Sequence, residues 1–221
     1  MVWTHYLPAL LAGARVTLII GVVSTLLGAV LAFAAGIARA ECGRIASWIA
    51  LVYIEVFRGT SLFVQLFWLF YALPLVGISF DPIVTGVAGL ALNIGAYGAE
   101  VVRGALQSIP LQQREATRAL NFSWSHTLFH IYLPQAVVEM MPSFGNLAVQ
   151  NLKDTSLVSL ITIADLTFRA QNLRNMAPVN SATIYTLTLV GYFIMALMFS
   201  AFMRWLERLL RRGAAFPRMN G

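Results

Sequence analysis

Long uncharged stretches constrain the fold of this chain more than any other feature. Residues 16–38 contain no Asp, Glu, Lys or Arg, and a helix that crosses a membrane needs about 20 apolar residues. Hydrophobic residues make up 59% of the sequence and charged residues only 11%, which excludes an ordinary soluble domain. The pattern predicts an all-α integral membrane protein with five transmembrane helices: residues 16–38, one tilted helix from 45 to about 73, residues 82–108, residues 135–152 and the latter part of 175–203.

Two of these spans carry small residues at every fourth position. This spacing aligns them along one side of a helix, where a second helix can approach closely. We therefore expect tight helix packing along two seams: Gly28, Ala32 and Gly36 in the first span, and Ala91, Gly95 and Ala99 in the third.

The placement of arginines predicts the orientation. With five spans, three arginine-containing segments fall on one side, and the positive-inside rule makes that side cytoplasmic. The N-terminus is then periplasmic and the C-terminus cytoplasmic, with residues 1–15 as an interfacial lead-in and 156–164 as an apolar piece that does not cross. We expect one domain over residues 1–221, with a helical core of about 10–210. The three segments contain Arg39 and Arg44, Arg114 and Arg118, and Arg204 to Arg212.

Residues 111–134 form the one long polar interruption, and they predict two short amphipathic helices joined by a turn. Pro110 ends the preceding helix. Asn121 tolerates the left-handed conformation that closes a helix, and Ser123 can cap the next one. From the residues alone, this segment either lies on anionic lipid or docks into a groove on another protein.

Charged residues inside the predicted spans are the candidates for a substrate path. Glu55 and Arg58 fall near the membrane midplane, where a charge is costly unless it is paired or hydrated. They form either an ion pair between helices or a site for a zwitterion. Glu100 and Arg103 repeat the spacing, with Arg103 as a structural residue.

A second group of candidates lies where the fourth span is expected to break. These residues are Lys153, Asp154, Thr155 and Ser156. Asp154 or Thr155 either caps the apolar piece that follows or exposes a half-helix N-terminus to a substrate carboxylate.

No catalytic or nucleotide-binding signature is present, so we expect neither catalysis nor a bound cofactor. The sequence contains no GxxxxGK[ST], GxSxG or HExxH motif. His126 and His130 have the i, i+4 spacing of metal ligands but no third ligand, and a metal site is not expected. Cys42 is the single cysteine. No nucleic-acid partner is expected either.

Several motifs resemble those of a known transporter family. Glu115, Ala116 and Thr117, followed by Asn121 and then by Ile131-x-Leu133-Pro134, resemble the EAA loop of ABC importer permeases, with Thr and Asn where that pattern has Ala and Gly. The segments LFVQLFWLFYALP, GAYGAEVVRGALQSIP and NLKDTSLVSLITIADL are similar to the polar amino-acid uptake branch, which includes histidine, glutamine and ectoine permeases.

The resemblance implies a type I importer permease fold and a coupling helix that fits a groove on an ATPase subunit. Its implied coupling residues are Arg114, Glu115, Ala116, Thr117, Arg118, Ala119, Leu120 and Asn121.

It also implies a set of partners in a bacterial inner membrane. These are ATPase subunits holding ATP and Mg, an identical or homologous permease, and an external solute-binding protein that would contact residues 165–180 and 75–82. The implied substrate is a small polar amino acid or a zwitterion such as ectoine or hydroxyectoine. The residues alone leave two other classes open: a gradient-driven carrier or channel, and a structural subunit of a membrane enzyme complex.

Overall fold

A computed structural model describes residues 3–176 and 181–213, and every regular element within those ranges is helical. The prediction of an all-α chain is therefore confirmed. Residues 177–180 lie outside the described residues. A polar loop is expected over 165–180, but Leu166–Met176 is helical, so this part of the prediction is wrong. In chain order the helices are α1 (Trp3–Glu41), α2 (Arg44–Gly59), α3 (Leu62–Phe67), α4 (Pro82–Gln107), α5 (Leu111–Ala119), α6 (Trp124–His126), α7 (Leu133–Asp154), α8 (Leu166–Met176) and α9 (Ser181–Gly213).

Three helices continue beyond these bounds in other helical forms. A π-helical segment, Trp68–Ala72, and a 3₁₀ segment, Leu73–Val76, extend α3. The π-helical segment Thr127–Tyr132 joins α6 to α7, and the 3₁₀ segment Thr155–Ile161 follows α7.

The predicted seams meet in the contact between α1 and α4. A Cβ atom built on Gly36 would lie 2.7 Å from the Ala99 carbonyl oxygen, and one on Gly95 would lie 3.3 Å from the Gly28 carbonyl oxygen. Only small residues permit backbones to approach this closely. The prediction of close packing along both seams is confirmed, and α4 also packs against α2, α3 and α7.

The lead-in predicted for residues 1–15 is wrong from Trp3 onward. This segment is continuous with α1. Leu10 is buried together with Leu166, Ala170 and Ile184, so packing against α8 and α9 stabilises the helix well before the uncharged stretch begins.

The single tilted helix predicted from residue 45 to about 73 is also wrong. The chain bends by 103° between α2 and α3, and Thr60 there has an extended backbone with φ −118° and ψ 153°. The Gln65 side-chain amide donates to the Phe57 carbonyl and to the Thr60 hydroxyl, each at 2.8 Å. These bonds satisfy groups that the interrupted helix leaves without partners.

The predicted break at the end of the fourth span does not occur. Asp154 and Thr155 keep helical backbone angles as α7 passes into its 3₁₀ extension. Neither side chain caps that extension: Asp154 accepts a bond from Gln150 at 2.8 Å, and the Thr155 hydroxyl donates to the Leu152 carbonyl at 2.7 Å. Both the cap and the exposed half-helix N-terminus are therefore wrong.

By length and composition, α1, α4 and α9 are apolar enough to cross a membrane, and the bent pair α2 and α3 can count as a fourth span. The described part of α7 is not among them. The count of five spans and the orientation of the chain ends remain predictions.

Candidate functional site: coupling loop and polar cavity

The 111–134 segment folds as the sequence predicts, into two helices joined by a turn. Pro110 precedes α5, and Asn121 adopts φ 53° after its last residues. The Ser123 hydroxyl accepts a hydrogen bond from the His126 amide at 3.4 Å and caps α6. The turn is therefore set by local side chains.

One side of this module faces away from the helical bundle. Its residues, which we call the outer face, are small or short except for one acid, one base and Leu120, which is 65% exposed. Small residues leave room for the surface of another protein to approach the helix backbone. The outer face consists of Glu115, Ala116, Arg118, Ala119, Leu120 and Asn121.

The other two predicted coupling residues, Arg114 and Thr117, face the bundle. Thr117 is 5% exposed; its hydroxyl donates to the Arg114 carbonyl at 2.9 Å and lies 3.1 Å from the Tyr132 hydroxyl. Arg114 Nη2 donates to the Leu106 carbonyl at 2.6 Å and to Glu41 Oε1 at 3.1 Å. Spacing along α5 could not reveal this direction, because Glu41 lies far away in the sequence.

A polar cavity of about 380 Å³ lies where the α2–α3 bend meets α4 and α7. Small-molecule sites commonly enclose about 300–1,000 Å³, so its size suits a small solute. Amides, hydroxyls and one carboxylate line much of it. The lining residues are Thr60, Ser61, Leu62, Asn93, Ile94, Tyr97, Leu147, Gln150, Asn151 and Asp154.

Of the predicted path residues, Asp154 lines this cavity and Arg58 lies beside it. The Arg58 guanidinium sits over the Tyr97 ring, 5.4 Å from its centroid. Glu55 is exposed and forms no ion pair with Arg58, so the predicted ion pair between them is wrong. Glu100 instead pairs with Arg103 at 2.6 Å, which agrees with a structural role for Arg103.

The remaining predicted path residues lie elsewhere. Lys153 and Ser156 line a separate, mostly apolar groove against α9, together with Tyr185 and Tyr192. Thr155 is fully buried. Asn93, Tyr97 and Gln150 were missed by sequence reasoning, although polar residues within apolar spans were a signal available in the sequence.

The two histidines of the loop form a ring stack. Their centroids are 4.6 Å apart with nearly parallel rings, and the Phe122 ring lies 5.0 Å from His126 at an interplanar angle of 52°. Among residues 3–176 and 181–213, no group of three or more His, Cys, Asp or Glu side chains is arranged to hold a metal ion.

Residues 31–212 match the family model described as "Binding-protein-dependent transport system inner membrane component". The chain belongs to this family. A probable amino-acid ABC transporter permease of Sinorhizobium fredii is 51% identical over 96% of this chain and 91% of its own length. The glutamine transport system permease of Escherichia coli is 38% identical over 93% and 94%.

The fold is likewise that of a solved transporter. A crystal structure of an amino acid ABC transporter with histidines superposes with a TM-score of 0.84 at 30% identity, covering 93% of this chain and 96% of that one. The type I ABC importer permease fold expected from the EAA-like motif is thus confirmed. Members of the family are membrane components of transport systems and are not themselves catalytic.

Proposed function

We propose that this chain is the permease subunit of an ATP-driven importer that moves a small polar amino acid, or a related zwitterion such as ectoine, into a bacterial cytoplasm. The family membership and the full-length similarity to amino-acid permeases support this proposal. Its partners are ATPase subunits that bind ATP and Mg, an identical or homologous permease, a solute-binding protein and the inner-membrane bilayer.

The outer face of α5 is the observation that carries the proposal. Glu115 and Arg118 are exposed and, within the described residues, form no ion pair. Charged groups free on a small-residue surface are available for charge-assisted bonds across an interface. A lipid-bound helix would instead present a broad apolar side to the membrane, whereas this outer face carries an acid, a base and an amide beside two alanines and one leucine.

The polar cavity is the proposed route for the solute. Asp154, on α7, supplies a carboxylate for an ammonium group, and Arg58, whose guanidinium lies over the ring of the cavity residue Tyr97, would bind the substrate carboxylate. Glu55 and Glu100 lie on the same two helices as Arg58 and Tyr97. Lys153 and Ser156 line the separate groove against α9 and Thr155 is buried, so these three are not assigned to the route.

Co-purification tests the coupling role directly. The ATPase subunit of its transport system should be recovered with the wild-type permease and lost with Glu115→Arg or Ala116→Trp, because one reverses a charge and the other fills the docking surface. Gln112→Ala changes an exposed side chain of the same helix that makes no hydrogen bond in the described structure, and it should retain the ATPase. Recovery of no ATPase with the wild type would favour a gradient-driven carrier.

Uptake of labelled amino acids and ectoine into vesicles tests the substrate class. Asp154→Asn should weaken uptake of a zwitterion by about tenfold or more, since it removes the charge facing the ammonium group. Tyr185→Phe, which alters the separate α7–α9 groove, is the matched control. Equal uptake by both variants would exclude Asp154 from the route.

Cys42 offers a test of orientation. It is exposed just after α1, in a segment that five spans place in the cytoplasm. A membrane-impermeant maleimide should label it in inside-out vesicles and leave it unlabelled in intact spheroplasts. The reverse pattern would invert the proposed topology.

A further inference from the structure

Arg114 connects the coupling helix α5 to the ends of two long helices. Glu41 is the last residue of α1, and Leu106 lies in the last turn of α4. The Arg114 and Glu41 side chains are only 23% and 13% exposed. Because both are largely shielded from water, this pair is screened less than a surface salt bridge would be.

The bond from Arg114 to Leu106 replaces one that the backbone cannot make. In a continuing helix, the Leu106 carbonyl would accept from the amide four residues later. That residue is Pro110, which has no N–H. The Arg114 guanidinium, 2.6 Å away, supplies the missing donor and places a positive charge at the end of α4 where the helix dipole favours one.

Tyr132 provides a third attachment on the opposite side of the loop. The Arg114 guanidinium lies 5.1 Å from the centre of its ring. The Thr117 hydroxyl uses its only proton on the Arg114 carbonyl, so Tyr132 donates to Thr117 across their 3.1 Å separation. Tyr132 ends the π-helical segment that leads directly into α7.

We propose that Arg114, Glu41 and Tyr132 form a clasp that makes α5 move as one body with the adjacent ends of α1 and α4. Without it, Pro110 and the two-residue connection after Gln107 would act as a hinge. With it, a displacement of α5 reaches Asn93 and Tyr97, the cavity residues on α4. Arg114 is then a positioning residue, in contrast to the docking residues Glu115 and Ala116. This inference rests on the proposed coupling function.

A distance measurement in the permease–ATPase complex tests the clasp. Nitroxide labels are placed on native Cys42 and on Leu111→Cys, at the exposed end of α1 and the exposed start of α5. Electron paramagnetic resonance then reports their separation without nucleotide and with a non-hydrolysable ATP analogue. In the otherwise wild-type complex, the separation should be the same in both states.

Removing the clasp should release α5 from α1. In Arg114→Gln and in Glu41→Ala, the distance distribution should broaden and its mean should shift when nucleotide binds, while the ATPase still co-purifies. Arg114→Lys keeps the charge but lacks the planar guanidinium that lies over the Tyr132 ring, and it should fall between wild type and Arg114→Gln. Gln112→Ala should match the wild type.

The outcomes separate the clasp from the proposed function. Loss of ATPase recovery with the wild-type chain would overturn the proposed function. Recovery of ATPase together with wild-type distances in both Arg114→Gln and Glu41→Ala would overturn the clasp alone. A label separation that changes with nucleotide in the complex with an intact clasp would overturn it as well. If Arg114→Gln does not fold, Glu41→Ala and Tyr132→Phe decide, the latter keeping the ring beneath Arg114 while removing the bond to Thr117.

Discussion

Helices α4 and α9 are both long and apolar, but α4 lies at the centre of the helical bundle and α9 lies at its periphery. The most apolar stretch of α4 is 56% buried within the chain, whereas that of α9 is 11% buried. Large side chains of α9 such as Leu189, Phe193 and Met198 are exposed by half or more. Hydrophobicity alone therefore does not identify the central helix; residue size does, because α4 presents Gly and Ala where its neighbours cross.

The difference has a functional consequence. Helix α4 contributes Asn93 and Tyr97 to the cavity and ends beside Arg114. Held tightly against α1, it can transmit movement along its length with little internal adjustment, because close-packed interiors transmit strain. Helix α9 lines a groove shared with α7 and leaves the large apolar side chains of its outer side exposed.

Substitutions at glycines should expose this contrast most strongly. A Cβ on Gly36 would lie 2.6 Å from Val102 Cβ and 2.7 Å from a backbone oxygen, whereas one on Gly145, between α7 and α9, would meet Met203 Cβ at an ordinary 3.4 Å. Gly36→Leu should lower the free energy of unfolding by about 3 kcal/mol or more, and Gly36→Ala by about 1–3 kcal/mol. Denaturation in mixed micelles measures both.

Gly145→Ala is the matched control on the peripheral side. We expect it to change stability by about 1 kcal/mol or less, since its packing needs no adjustment and Ala favours a helix. Equal destabilisation by Gly36→Ala and Gly145→Ala would show that the central seam is no tighter than the peripheral one.

The next largest effect is a pH dependence of stability that we expect from Asp165, which links α8 to α9. Its carboxylate accepts from the Phe168 amide at 2.8 Å and from the Tyr192 hydroxyl at 3.2 Å, and it is fully buried at the connection before α8. Burial raises the pKa of Asp165 to about 6. A carboxyl whose folded-state pKa is raised stabilises the fold fully at low pH, and this contribution is lost as the pH rises through about 6.

Asp165→Asn should therefore flatten the pH dependence of unfolding between about pH 4 and about pH 7, where the wild-type carboxyl accounts for up to about 3 kcal/mol. Thermal unfolding at both ends of this range measures the effect. Arg169, in the first turn of α8, donates to the Ala164 carbonyl at this connection, so Arg169→Gln serves as a control for a general charge effect. A slope that persists in Asp165→Asn would assign the dependence to other groups.

The sequence predicted features that depend on residue size and backbone preference and missed those set by individual side-chain contacts. The small-residue spacing identified the α1–α4 seam, and Asn121 and Ser123 identified the turn after α5, because residue size and backbone preference act locally. The bend at Thr60 depends on the Gln65 side chain reaching back to Phe57, which no periodicity records.

The candidate site divides in the same way. The outer face of α5 follows from the short motif at Glu115 and Ala116. The inward direction of Arg114 depends on Glu41, and the cavity depends on α4 meeting α7, so neither could be read from spacing. Asp154 was recognised as a polar group in an apolar region, but its role as a cap was wrong because the chain continues in a helical form.

A smaller effect is expected from Asn151, which links α7 to α1. Its side-chain amide donates to the Ser24 hydroxyl at 2.8 Å and to the Thr25 hydroxyl at 2.9 Å. Asn151→Ala should cost about 1 kcal/mol, the usual range for hydrogen bonds between membrane helices. Thr186→Ala, which removes an exposed bond within α9, should cost less, and denaturation in mixed micelles compares the two.

Equal costs for Asn151→Ala and Thr186→Ala would mean that α7 is held to α1 by packing alone. In that case the Asn151 amide lines the cavity but does not stabilise the contact between α7 and α1, and solute uptake would respond to Asn151→Ala more strongly than stability does. A cost well above 1.7 kcal/mol, the upper end measured for such bonds, would instead show that removing the Asn151 amide also disturbs the Ser24 and Thr25 side chains.

The smallest expected change in stability tests whether the tight packing of α4 extends to its C-terminal end. Gly104 lies within α4, but a Cβ there would meet no atom within 4 Å. Gly104→Ala should stabilise the protein by about 0.5–1 kcal/mol, because Ala restricts the unfolded chain more than Gly does and favours a helix. Destabilisation in the isolated permease would contradict the open surface seen here. Destabilisation only in the assembled transporter would show that a partner subunit covers the last turns of α4, and would extend the central packing into the complex.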